Sequence, residues 1–80
     1  MNVQVLLFAS YADAFGVPQF AVTLGDGATV RDLLAQVREM AAGHVLPPSP
    51  LVAINQCYAR SDEPLSAGDE VALIPPVAGG

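Results

Sequence analysis

The stretch QFAVTLGDGATVRDLLAQVREMAA, residues 19–42, changes its hydrophobic period midway, and that change decides the fold class. Residues 19–24 (QFAVTL) alternate Phe20, Val22 and Leu24 against Ala21 and Thr23, the period of two expected of a half-buried strand. Gly25-Asp26-Gly27 then breaks the chain. Thr29 is a good N-cap, and Asp32 three residues later suits the positive end of a helix. From there Val30, Leu33, Leu34, Val37, Met40 and Ala41 follow helical spacing and form one apolar stripe. The helix is predicted over 30–42, with Gly43 as its stop and with Arg31, Gln36, Arg38 and Glu39 mostly facing water.

Working outward, residues 3–9 (VQVLLFA) read as a first strand, and residues 10–15 as a short helical turn ended by Gly16. Beyond the main helix, residues 44–50 (HVLPPSP) form a proline-rich connection that cannot be helical. Residues 51–54 are a third strand, Asn55-Gln56 a tight turn, and residues 57–59 a short fourth strand. Residues 61–69 read as a polar loop, and residues 70–74 (EVALI) as the last strand, ended by Pro75-Pro76. One helix against a small sheet is an α+β arrangement. With the first and last strands both central, the expected solution is a ubiquitin-like β-grasp, a mixed sheet of four to five strands with one main helix on one face. The expected division is a domain over 1–76 and a flexible Gly-Gly tail over 77–80.

Eighty residues suit one domain, and 52% of them are hydrophobic. A chain this short buries only about 60–65% of the surface it exposes when unfolded, so some apolar area has to be covered from outside. One helix covers one sheet face, and strand side chains alternate between faces. If Val3, Val5, Leu7, Val71 and Leu73 pack under the helix, then Leu6, Phe8, Ala72 and Ile74 face outward. That outward set is either a partner-binding patch or is capped by residues 10–17 or 45–50.

The net charge is −5, from eight acidic residues against three arginines, which argues against nucleic acid as a partner and for a partner with a basic docking surface. There is no lysine, so no isopeptide bond can form on this chain's own side-chain amines. No apolar run approaches the roughly 20 residues needed to span a bilayer, and the start MNVQVLLFAS lacks a basic leader region, so a cytoplasmic location is expected.

The chain ends Pro75-Pro76-Val77-Ala78-Gly79-Gly80. Two prolines stiffen the exit, and two glycines clear every side chain from the terminal carboxylate, so the tail can enter a narrow channel. A carboxylate is inert until activated, which implies an enzyme that forms an acyl-adenylate for sulfur or an amine to displace. A Gly-Gly terminus alone is weak evidence for this. Joined to the strand order, the proline exit and the outward apolar set, it becomes specific.

Other residues carry less. Cys57 reads as a small core hydrophobe rather than a sulfur carrier. His44 reads as a solvated side chain or a contact with the helix C-terminus. Asp62-Glu63 and Asp69-Glu70 read as solvated acids rather than a metal or acid–base site, with Asp69 fixing the turn after Gly68. Arg60 could hold a partner carboxylate or be an ordinary surface cation.

Residues 65–80, LSAGDEVALIPPVAGG, resemble the small, sulfur-carrying subunit of molybdopterin synthase, whose members typically end in G-D-E-V-A followed by P-P-V-x-G-G. LVAINQ at 51–56, the strand ending Leu7-Phe8-Ala9 and the helix start ATVRDLL at 28–34 also fit. The resemblance implies that Gly80 is adenylated by an ATP-using enzyme related to ubiquitin activators and then converted to a thiocarboxylate with sulfur from a donor. It implies docking on the large synthase subunit in an assembly of two small and two large subunits, with Phe8 and Ile74 as contacts. Leu6 and the exit residues Pro75 and Pro76 would join that contact, and Val77, Ala78 and Gly79 would enter the partner's active site. There sulfur passes to a cyclic pyranopterin phosphate. The chain would not be an enzyme by itself and would bind no cofactor or metal. A carrier for thiazole, cysteine or tRNA thiolation, a ubiquitin-like modifier, and a plain interaction module are the alternatives. Two departures stand out: Leu73-Ile74 where members often carry aromatic residues, and Ala12-Asp13 where basic residues are common.

Overall fold

The computed structural model describes residues 1–40 and 42–76. The elements run β1 (Asn2–Leu7), α1 (Ala9–Phe15), β2 (Gln19–Thr23), α2 (Val30–Arg38), a 3-10 turn (Gly43–Val45), β3 (Leu51–Ile54), β4 (Cys57–Tyr58) and β5 (Glu70–Ile74). The strands form one mixed sheet in the order β2-β1-β5-β3-β4. β1 and β5 are parallel neighbours in the middle, and β2 and β3 flank them antiparallel. This is the expected β-grasp. Among the described residues, no helix is long and apolar enough to cross a membrane.

The alternation read from the sequence places the core. Val3, Val5 and Leu7 of β1, Val71 and Leu73 of β5 and Val52 of β3 are buried against Val30, Leu33, Leu34 and Val37 of α2. The entry to α2 is fixed by Asp32, whose Oδ2 accepts from the Thr29 backbone N–H at 2.9 Å and from its hydroxyl at 3.2 Å. The first helical N–H groups have no partner inside the helix. Here Val30 N–H donates to the Glu63 carbonyl at 3.0 Å and Arg31 N–H to that of Ser61 at 2.9 Å. The 61–69 loop is therefore stitched to the helix start, and its Leu65 is buried, which a reading of the loop as merely polar did not foresee.

The helix is shorter than expected. It ends at Arg38, and Met40 is 40% exposed, so Met40 leaves the apolar stripe; Ala41 lies outside the described residues. Two tertiary features end it early. Gly43 folds back so closely that a Cβ there would sit 2.3 Å from the Arg38 carbonyl oxygen. Arg38 itself is half-buried rather than solvated, and its guanidinium donates to the carbonyls of Leu46 (3.2 Å), Pro47 (2.7 Å) and Pro48 (3.1 Å). The connection expected to lack helix accordingly starts with a 3-10 turn through His44 and Val45. At the other end of the chain, β1 stops at Leu7 because Phe8 caps α1 and Ala9 begins it, and β2 runs only to Thr23. α1 ends as expected on Gly16 at φ 77, a left-handed position that suits glycine.

Candidate functional site

The outer face of the sheet follows from the cross-strand register. Leu6 of β1 lies opposite Ala72 of β5, Ala72 opposite Ala53 of β3, and Ala53 opposite Tyr58 of β4. One step along, Ile74 lies opposite Leu51. Opposed residues share a face. The set Leu6, Ala72, Ala53, Tyr58, Ile74 and Leu51 therefore lies on the face away from α2. Phe8 continues β1 in an extended conformation, φ −124 and ψ 151, before the chain turns sharply at Ala9, φ 48.

These side chains are exposed to different degrees. Phe8 is 49% exposed, Leu51 46% and Tyr58 75%, while Leu6, Ala72 and Ile74 are half-buried. The alternative in which loops cap this face does not hold for Phe8. The opposite end of the same face is polar: Gln4 pairs with Glu70, and both are exposed. The apolar half is thus the half where β5 ends, beside Pro75, half-buried, and Pro76, exposed. Val77, Ala78, Gly79 and Gly80 lie outside the described residues.

Leu51 and Tyr58 were not singled out from the sequence. The alternation in LVAI separates Leu51 and Ala53 from Val52 and Ile54. Which pair faces outward depends on the pairing of β3 with β5, which a single strand's pattern does not contain.

The remaining candidates disperse. Cys57 is exposed on the edge strand, so the reading of it as a core hydrophobe is corrected: β4 has only two residues, both exposed. His44 is exposed in the 3-10 turn. Asp62 and Glu63 are exposed, and among the described residues no group of acidic, histidine or cysteine side chains could hold a metal. Asp69 does fix its turn: its carboxylate accepts from Asn55 Nδ2 at 3.0 Å and from Ser66 N–H at 2.8 Å, while Asn55 Oδ1 accepts from Glu70 N–H at 3.0 Å. Arg60 is exposed. Tyr11 is buried, its hydroxyl has no partner among the described residues, and burial raises its phenol above the ordinary 10.0 against an opposing pull from Arg38.

The ThiS family model matches residues 5–80. A protein of Chlamydomonas reinhardtii named molybdopterin synthase sulfur carrier subunit is 43% identical over 86 residues, covering all of both chains. Among solved structures, SAMP1 of Haloferax volcanii superposes with a TM-score of 0.85 at 34% identity, covering all of both chains. The complex of subunits 1 and 2 of molybdopterin-converting factor from Helicobacter pylori contains a chain that matches with a TM-score of 0.75 at 25% identity, again over both full lengths.

Proposed function

The chain belongs to the ThiS family, and on that premise we propose that it is the sulfur carrier subunit of a molybdopterin synthase, working through the carboxylate of Gly80. An adenylating enzyme of the ubiquitin-activator kind uses ATP to convert that carboxylate to an acyl-adenylate, releasing pyrophosphate. A sulfur nucleophile from a donor displaces AMP and leaves a thiocarboxylate. The outer face, through Phe8, Leu6 and Ile74, then docks on the large synthase subunit, with two carriers and two large subunits in the assembly. Pro75 and Pro76 direct Val77, Ala78 and Gly79 into the partner's active site. The thiocarboxylate sulfur attacks a carbon of a cyclic pyranopterin phosphate and displaces an oxygen leaving group there; water then hydrolyses the resulting thioester, leaving the sulfur on the pterin and returning the Gly80 carboxylate. The carrier supplies no catalytic side chain, binds no cofactor of its own, and works in the cytoplasm.

One observation carries this reading. The apolar half of the outer face and the exit of the chain after Ile74 share one end of the sheet. A partner gripping that half receives the last residues at its own surface. The relatives named as sulfur carriers, and the two-subunit complex among the similar structures, support the identity of that partner.

The test is intact-mass measurement after incubation with ATP, the activating enzyme and a sulfur donor. A mass gain equal to one oxygen replaced by sulfur, lost on addition of the pterin substrate and large subunit, is expected. A residue appended after Gly80 should abolish the gain without changing the thermal melt. Full function after deletion of Gly79 and Gly80 would leave only a plain interaction module. A second reading is favoured by the likeness to SAMP1, the small archaeal modifier protein 1 of Haloferax volcanii. A modifier would appear as a gain of this whole chain's mass on target proteins. A carrier for another thiolation pathway would gain sulfur yet fail to lose it to the pterin.

A further inference from the structure

Two of the three arginines of this acidic chain line one groove. The groove, of about 440 Å³, runs beside α2, with Arg31, Leu34 and Arg38 on the helix side and Pro48, Pro50 and Ser61 among the residues across from them. Arg60 lies in sequence between two further lining residues, Ala59 and Ser61. No acidic residue lines it.

The chain carries eight carboxylates, yet the hydrogen bonds of the two lining arginines go elsewhere. Among the described residues Arg31 Nη2 reaches only Ser61 Oγ, at a long 3.4 Å, and Arg38 binds backbone carbonyls. Two cations without a carboxylate partner among the described residues, set in a chain of net charge −5, make a local positive site on an otherwise negative surface. The wall is rigid: Pro47, Pro48 and Pro50 fix their own φ angles, and Arg38 fastens the carbonyls of Leu46, Pro47 and Pro48. Between the cations the lining is apolar, with Leu34, Ala35, Pro48 and Pro50. Such a groove is formed before any ligand arrives, which lowers the cost of binding.

The spacing selects the ligand. Arg31 and Arg38 are seven residues apart on one helix face, about 10.5 Å along the axis. In a polyproline II segment, residues i and i+3 project to the same side about 9.3 Å apart. We propose that the groove docks a short extended acidic segment of a partner protein, with one carboxylate on Arg31, a second three residues away on Arg38, and apolar residues between them. The groove lies on the helix side of the sheet and the docking patch of the carrier on the other, so both can be occupied at once. This site thus adds a second contact to the carrier rather than restating the first.

The probe is a capped peptide, acetyl-Pro-Glu-Leu-Pro-Glu-Pro-amide, titrated into the isotopically labelled full chain at low salt and followed by amide NMR shifts. Shifts confined to the amides of residues 30–38, of Ser49, Leu51 and Val52, and of residues 59–61 are expected. Arg31→Gln, at an exposed position, should leave the thermal melt unchanged and weaken binding about three- to fivefold, as for a solvent-exposed ion pair. Added salt should act in the same direction. The proposal is overturned if the peptide causes no shifts at millimolar concentration, or if the version with Gln in place of both Glu binds equally well. It is also overturned if inorganic phosphate alone reproduces the shifts, which would make this a small-anion site, or if the shifts centre on Phe8 and Leu51.

Discussion

Residues of the two adjacent central strands should separate docking from folding, and Phe8→Ala, just past β1, against Leu73→Ala, in β5, is the sharpest test. An aromatic side chain exposes about 200 Å² when free, so Phe8 at 49% exposure offers a partner about 100 Å². At about 25 cal/mol per Å² that area contributes at most about 2.5 kcal/mol to docking, or about 60-fold in Kd. Interfaces convert area incompletely, so a loss of about 10- to 60-fold is expected for Phe8→Ala. The same substitution should lower folding stability by only about 1 kcal/mol, the ordinary cost of a half-exposed site. Leu73 is 0% exposed on the inner face. Leu73→Ala should therefore remove about 2–5 kcal/mol of folding stability while leaving the Kd of the folded fraction unchanged. Urea unfolding and calorimetric titration against the large synthase subunit measure the two quantities separately. A Phe8→Ala carrier that binds within twofold of the parent refutes the docking face. So does a Leu73→Ala carrier that stays folded yet binds more weakly than Phe8→Ala.

Further substitutions test the details of the fold. Gly43→Ala places a Cβ 2.3 Å from the Arg38 carbonyl oxygen and should cost about 1–3 kcal/mol, whereas Gly25→Ala meets open space and should be near neutral; equal effects in urea melts would refute the close approach. Arg38→Met keeps the aliphatic stem but removes the bonds to three carbonyls, and should cost about 1–3 kcal/mol with hydrogen exchange faster at the flanking amides of Leu46 and Ser49; unchanged exchange at both would discount the clamp. Tyr11→Phe removes an unpartnered buried hydroxyl and should be neutral or stabilising at neutral pH; a loss above about 1 kcal/mol would mean that the hydroxyl has a partner. Because burial holds the Tyr11 phenol above 10.0, the unfolded chain loses this proton first as the solution becomes alkaline. The folded form then binds the extra proton, so stability is full below pH 10.0 and declines above it. Tyr11→Phe should lessen that decline in unfolding measurements made on either side of this pH.

What the sequence revealed and what it hid divide along one line: whether the signal is local. The alternation in β1 and β5 names the inner and outer residues without knowledge of any partner strand, because side-chain direction repeats every two residues. Leu7 is buried and Phe8 exposed accordingly. The start of α2 was equally legible, since Thr29 and Asp32 meet within one turn. Its end was not, because composition continues the helical pattern through Met40 while the contacts that end it join Arg38 to Gly43 and to carbonyls eight to ten residues away. Leu65 is buried by its attachment to Ala28, whose carbonyl accepts the Leu65 N–H at 2.9 Å, and a single apolar residue in a polar loop has no period to betray it. Leu51 and Tyr58 join the outer face only through the registers β3–β5 and β3–β4, and Cys57 is exposed only because β4 is short and lies at the edge. The tail was read from the sequence alone.

The same period of two also explains how one fold can hold different partners. The largest fully buried side chains are Leu33, Leu73, Val3, Val5, Val30, Val37 and Val71, and every strand residue among them lies on the face under α2. Folding energy is therefore concentrated on odd-numbered residues of β1 and β5, while Leu6, Phe8, Ala72 and Ile74 contribute less to it. Substitution on the outer face can alter which surface is recognised with little cost to the core, since distant packing terms are nearly independent. A carrier of this architecture can thus drift toward a new large subunit or a new target while its sheet stays in place. This is consistent with a TM-score of 0.75 persisting at 25% identity. Exchanging outer-face residues between this chain and SAMP1 should therefore move partner choice without moving the melting temperature.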